Sequence, residues 1–296
     1  MQNETPLHAA LLPLVERFCT ETDYSAASRR AVRADLVKFG RWYCEANKEP
    51  FDSRRVTMRD VADWRDWMRR SQNQSVSTVN RGLVSVRRFF AWLQEHGHVG
   101  SSPAEGVKDL KRQELAPKTL DRAVIRKLLR EAGARQDIRA MTIFTLLLYC
   151  GFRVGELVDL TISDLSLSER SGVAQIRNAK GNKSRMVPLP LAARRAISEY
   201  LRCRGDVDQP QLFCGKRGPL TTQGIRDLFA RYSAIIGVRI HPHLLRHCFG
   251  REFLASNQND LVGLAALMGH ENLNTTRRYV ARTTEQLCEA AENMAF

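Results

Sequence analysis

Val173-Ala174-Gln175-Ile176-Arg177-Asn178-Ala179-Lys180-Gly181-Asn182-Lys183-Ser184-Arg185-Met186-Val187-Pro188-Leu189 is the stretch on which the fold class turns. Residues 173–177 and 185–189 are β-prone, and the Gly/Asn-containing segment between them has the composition of a hairpin turn. Residues 157–162 read as a third strand. Away from this segment the apolar spacing is helical. Helices are expected from about 121 to 132, then over 191–202, 222–236, 242–255, 260–268 and 275–280. The chain is therefore expected to be mainly α with a small antiparallel β-sheet.

The first hundred residues read as four helices, each with one apolar stripe. Val32, Leu36, Phe39 and Tyr43 share a face, as do Val61, Trp64 and Met68, and then Val79, Leu83, Val86, Phe90 and Leu93. An earlier helix covers about 7–18. Ser25 or Ser28, Thr57 with Asp60, and the Ser-rich start at Ser75 and Ser77 are placed to begin these helices. Gly97, Gly100, Pro103, Gly106 and Pro117 punctuate a polar, basic stretch. The expected organisation is a helical domain over 1–100, a linker over 101–118 and a second domain over 119–296.

The chain has 296 residues and a formal net charge of +14, with 16 basic and 12 acidic side chains in residues 1–100 and 30 and 20 in the rest. A strongly basic chain without a long basic tail points to a folded surface that meets a polyanion, most often nucleic acid; a ribosome-associated or merely basic protein is the plainer alternative. No apolar run is long enough to span a membrane, and the polar first residues do not read as a signal peptide. The seven cysteines form no CxxC pair and suggest reduced thiols in the cytoplasm.

Four segments concentrate chemistry-bearing side chains. In Gly151-Phe152-Arg153-Val154-Gly155-Glu156-Leu157 an apolar helix ends at the glycine, and Arg153 and Glu156 fall on one face of a new turn. Arg153 is placed to grip a phosphate with its planar fork, or simply to pair with Glu156. Lys180 sits at the hairpin turn, where lysines are ordinarily solvated. In His241-Pro242-His243-Leu244-Leu245-Arg246-His247, His243 and Arg246 share a helix face and can serve a proton and an anion together. No carboxylate or cysteine completes a metal site around those histidines. In Met268-Gly269-His270, followed by Tyr279, the tyrosine becomes a nucleophile only with cations and a base around it; otherwise it is packing.

These four segments, in this order, resemble the tyrosine site-specific recombinases, the phage-integrase family, and especially its Xer-like members. The likeness is firm from about Pro117 to Val280 and weaker over the N-terminal helices, where Arg87-Arg88-Phe89-Phe90-Ala91-Trp92-Leu93 resembles the end of a DNA-clamping, core-binding domain. The resemblance implies a catalytic set of Arg153, Lys180, His243, Arg246, His270 and Tyr279, with Glu156 in support. Arg81, Arg87 and Arg88 are candidate DNA contacts.

It further implies a DNA recombinase in which Tyr279 forms a 3′-phosphotyrosyl link and the arginines hold the phosphate. Lys180 protonates the leaving 5′-oxygen, His243 assists at the tyrosine and His270 bonds the phosphate. No metal and no cofactor are expected. The partners implied are double-stranded DNA and other protomers, in a homo-tetramer or a hetero-tetramer with a related recombinase, without a membrane. The 17 residues after Tyr279 carry the stripe Leu287, Ala290, Ala291 and Met294, read as a tail helix donated to a neighbour or packed on its own domain. Two rival readings are a type IB topoisomerase and a DNA-binding protein that keeps the fold without cleavage.

Overall fold

The computed structural model describes residues 7–111, 119–179, 183–205, 208–215 and 218–269. The expected helix over 275–280 and the tail, together with Lys180, His270 and Tyr279, lie outside the described residues. The chain divides into two compact units, Met1–Gln113 and Glu114–Phe296.

The first unit contains α1 (Leu7–Glu21), α2 (Ala26–Asn47), α3 (Met58–Arg70) and α4 (Val76–Glu95). The Ser25 hydroxyl accepts the Ser28 N–H, the Ser75 hydroxyl accepts that of Thr78, and Thr57 with Asp60 closes a reciprocal capping box at α3. The stripes face one another: Leu36, Phe39, Val61, Trp64, Val79, Leu83, Val86 and Phe90 are all at most 1% exposed. Gly82 sits where an added Cβ would come 2.9 Å from the Trp64 ring, so a side-chain-free position lets α4 approach α3.

Part of the segment expected as linker packs on this unit. Ala104 and Val107 are buried in its core and Leu110 packs against it. The backbone of this segment is met by side chains: Arg65 donates to the Lys108 carbonyl, Arg87 to that of Val107, and Asn80 bonds Leu110. Gly and Pro frequency signalled irregular backbone here, but not whether that backbone was docked.

The second unit runs α5 (Arg122–Ala134), α6 (Ile138–Tyr149), α7 (Val154–Asp159), β1 (Leu165–Leu167), β2 (Gly172–Ala179), β3 (Lys183–Pro188), α8 (Leu191–Arg204), β4 (Cys214–Gly215), β5 (Gly218–Pro219), α9 (Thr222–Ile236), α10 (Pro242–Ser256) and α11 (Leu261–Met268). The three-stranded antiparallel sheet has the order β1-β2-β3, and β4 and β5 form a separate two-stranded hairpin.

The third strand is not at 157–162. Residues through Asp159 belong to α7, where the Glu156 carboxylate reaches back to the Arg153 N–H at 2.7 Å and fixes the helical turn. The strand is β1 instead, entered after Thr161 and Asp164 close a capping box over a short 3₁₀ turn. In the β2–β3 ladder Ala174 faces Val187 and Ile176 faces Arg185. Ala174, Ile176 and Val187 are buried while Met186 is 61% exposed, so strand alternation puts Arg185 on the core side. Among the described residues, no helix is long and apolar enough to cross a membrane.

Candidate active site

Glu156 is the centre of the site. It is 8% exposed and lies in the first turn of α7. Burying a carboxylate is costly unless charge and hydrogen bonds compensate it, and three arginines do so. Arg153 Nη1 donates to Oε1 at 2.7 Å. Arg185 grips both oxygens, Nη1 to Oε1 at 2.7 Å and Nη2 to Oε2 at 2.8 Å. Arg246 Nη1 stands 4.0 Å from Oε2. Burial pushes the Glu156 pKa up, but the bonds from Arg185 and from the Arg153 backbone outweigh it and bring the value to about 2.

The same arginines reach the backbone around two glycines. Arg246, 2% exposed on α10, donates to the Gly151 carbonyl and, at 2.7 Å, to that of Met268. Arg153 Nη2 donates to the Gly269 carbonyl at 2.6 Å, and Arg185 Nε to the Leu267 carbonyl at 3.1 Å. The last carbonyls of α11 carry the negative end of its dipole, so guanidinium groups are favoured there. Gly269 ends that helix with φ +61°, and Gly151 ends α6 with φ +63°. At Gly151 an added Cβ would also come 2.3 Å from the Phe249 ring.

His241, Pro242 and His243 begin α10. His241 Nδ1 accepts the Leu244 N–H at 3.1 Å, and burial followed by the Arg239 charge lowers its pKa, keeping the ring neutral as an acceptor. His243 is exposed one turn before Arg246, and its ring meets that of His247 with centroids 4.1 Å apart. Among the described residues no three His, Cys, Asp or Glu side chains gather as a metal ion would require.

Of the residues singled out in the sequence, Arg153, Glu156 and Arg246 meet at this centre, with His243 on the helix that carries Arg246. In the first unit, Arg81 bonds the buried Asp35 at 2.7 Å and Arg88 stands 6.0 Å over the Tyr24 ring; both stay exposed. Arg87 is half-buried, bonded to the Val107 carbonyl and, at 2.7 Å, to Asp109. Sequence reasoning missed Arg185, whose alternation with the apolar Val187 was the available signal.

Residues 118–286 match the phage integrase family, and residues 15–97 match the phage integrase N-terminal SAM-like domain. The tyrosine recombinase XerC of Chromobacterium violaceum is 34% identical over 227 residues, covering 74% of each chain. XerC of Pseudomonas savastanoi pv. phaseolicola is 33% identical over 272 residues, covering 88% of this chain and 87% of that one. The fold is similar to that of the XerH site-specific recombinase in a pre-cleavage complex with difH substrate, with TM-score 0.72 at 22% identity, covering 94% of this chain and 83% of the other. The chain belongs to the phage integrase family, the tyrosine recombinases. It is Xer-like, and its activity is the site-specific breakage and rejoining of DNA strands.

Proposed function

We propose that Tyr279 attacks a phosphodiester of double-stranded DNA, forming a 3′-phosphotyrosyl enzyme and releasing a 5′-hydroxyl. Arg153 and Arg246 hold the non-bridging oxygens and stabilise the charge that builds up at phosphorus. Lys180 protonates the departing 5′-oxygen, His243 assists proton transfer at the tyrosine, His270 bonds the phosphate, and Glu156 orients Arg153. The phosphotyrosyl bond conserves the energy of the broken linkage, and the 5′-hydroxyl of the second strand attacks it to reseal the DNA.

The observation that carries this reading is the convergence of Arg153, which caps α7, and Arg246, on α10, on Glu156 and on the carbonyls of Met268 and Gly269. Those carbonyls immediately precede the segment that contains His270 and Tyr279.

We further propose that residues 1–100 form a core-binding domain, with Arg81, Arg87 and Arg88 among its DNA contacts, and that 119–296 form the catalytic domain. The +14 net charge supports a DNA partner. The enzyme acts in the cytoplasm as a tetramer on paired short sites, built from one chain or shared with a related recombinase. Relatives named both XerC and XerD support the shared form. Its task is integration or resolution of a mobile element, or Xer-like dimer resolution.

The test is covalent trapping on nicked duplexes made from DNA flanking the gene, in EDTA, comparing wild type with Tyr279→Phe. A metal-independent covalent band absent from the variant is expected, and its mapped position identifies the site and hence the task. Tight, salt-sensitive binding with no band, alone or with a related recombinase added, would overturn the cleavage reading.

A further inference from the structure

We propose that Arg185 is a positioning residue for strand cleavage: it fixes the Glu156 carboxylate that orients Arg153, and it holds the end of α11 beside both. The inference rests on the recombinase reading above and deepens it.

The strand geometry creates the arrangement. Arg185 pairs with Ile176 across β2–β3 and faces the same side as Val187, so its side chain is only 11% exposed. A guanidinium on a core-facing position needs partners for its donors, because it stays charged at any ordinary pH. Arg185 finds them on two separate elements. Its Nη1 and Nη2 form the fork on Glu156 of α7, and its Nε bonds the Leu267 carbonyl at the end of α11.

Two details tie this fork to the reacting residues. Glu156 Oε1 accepts from Arg185 Nη1 and from Arg153 Nη1, each at 2.7 Å, so displacing the carboxylate removes one of the bonds that fix Arg153. Gly269 leaves room for the guanidinium, since an added Cβ there would come 2.9 Å from Arg185 Nη1. The Gly269 carbonyl in turn accepts from Arg153. Arg185 therefore braces Arg153 through Glu156 and lies beside the Gly269 that also accepts from Arg153, while standing in the strand that follows Lys180 in sequence.

Lysine keeps the charge but cannot reproduce the planar fork together with the third bond. Glutamine removes the charge and leaves Glu156 without its two-bond partner. The experiment compares wild type, Arg185→Lys and Arg185→Gln for DNA affinity, single-turnover cleavage of a nicked duplex, thermal unfolding, and NMR titration of the Glu156 carboxyl. Arg185→Gln is expected to bind DNA within ~3-fold of wild type but to cleave ~10²-fold more slowly. Arg185→Lys should recover ~10-fold of that loss. The Glu156 carboxyl should titrate above its value of about 2 in both variants, and further in glutamine than in lysine.

Cleavage within ~3-fold of wild type in Arg185→Gln, or equal loss of binding and cleavage with unchanged Glu156 titration, would overturn the proposal. If Arg185→Gln does not fold, Arg185→Lys carries the same comparison. Absence of a covalent product from wild type sinks the cleavage reading instead. The titration needs no DNA, so an unchanged Glu156 then independently shows that Arg185 does not hold it.

Discussion

Asn80 and Leu110 are joined by two hydrogen bonds of 2.9 Å: the Asn80 side-chain amide donates to the Leu110 carbonyl, and Asn80 Oδ1 accepts the Leu110 N–H. One buried side chain on α4 thus imitates a neighbouring β-strand and anchors the chain as it leaves the first unit. Asn80→Ala leaves both backbone groups without these partners. The expected cost is ~2–3 kcal/mol in urea unfolding of the full chain, with faster amide exchange at residues 107–110. Unchanged exchange there would show that Asn80 is not the anchor.

Gly151→Ala acts on a different joint. The position has φ +63°, and an added Cβ would meet the Phe249 ring at 2.3 Å, while its carbonyl accepts from Arg246. Backbone strain and the clash together should lower stability by about 2–4 kcal/mol, read as a fall in the thermal midpoint. Adding Phe249→Ala should return only part of that loss, because it removes the clash and not the strain. Complete recovery would mean that the left-handed backbone contributes nothing.

The acid limb of the stability curve should report Glu156. Its folded pKa of about 2 lies below the ordinary 4.5, so it stabilises the native state fully above the unfolded value. That contribution is lost as pH falls from about 4.5 towards about 2, and it amounts to on the order of 3 kcal/mol. Glu156→Gln should be less stable at neutral pH and should lose less between those two values. Urea midpoints measured against pH for both proteins decide it: parallel curves would remove Glu156 from the account.

Arg153→Lys and Arg246→Lys keep a charge but lose the fork. Each should slow formation of the covalent product by ~10²–10³-fold while DNA affinity changes far less. Single-turnover cleavage beside a binding isotherm separates the two effects. A matched loss of affinity and rate would place these arginines in general DNA binding and not at the reacting phosphate.

The helices were legible because periodicity, caps and glycine stops agreed with one another: the observed caps Ser25, Thr57 and Ser75 are all among the residues that the spacing offered. Residues 157–162 misled because a short apolar run suits a strand or a helix equally, and the deciding bond, from the Arg153 N–H to Glu156, is a side-chain event. At the site, the geometry shows the local reading of Arg153: it pairs with Glu156, and it also reaches the Gly269 carbonyl. Arg185 escaped notice because a basic residue beside a polar turn resembles a solvated one. Its partners, on α7 and α11, are brought to it only by tertiary folding. Arg87 likewise looked like a surface cation until the 107–110 backbone folded against it.

The balance of charge around Glu156 has an electrical consequence. Among the described residues, three guanidinium groups face this one carboxylate, leaving the cluster two positive charges in excess. A phosphodiester in its resting form carries a single negative charge, and nucleophilic attack adds a second. Counted by themselves, these four groups are overcharged for the intact strand and are matched by the doubly charged phosphorus centre; under the proposed chemistry Lys180 adds a further positive charge until it gives up its proton. A preference of that kind lowers the barrier without tightening the grip on uncut DNA.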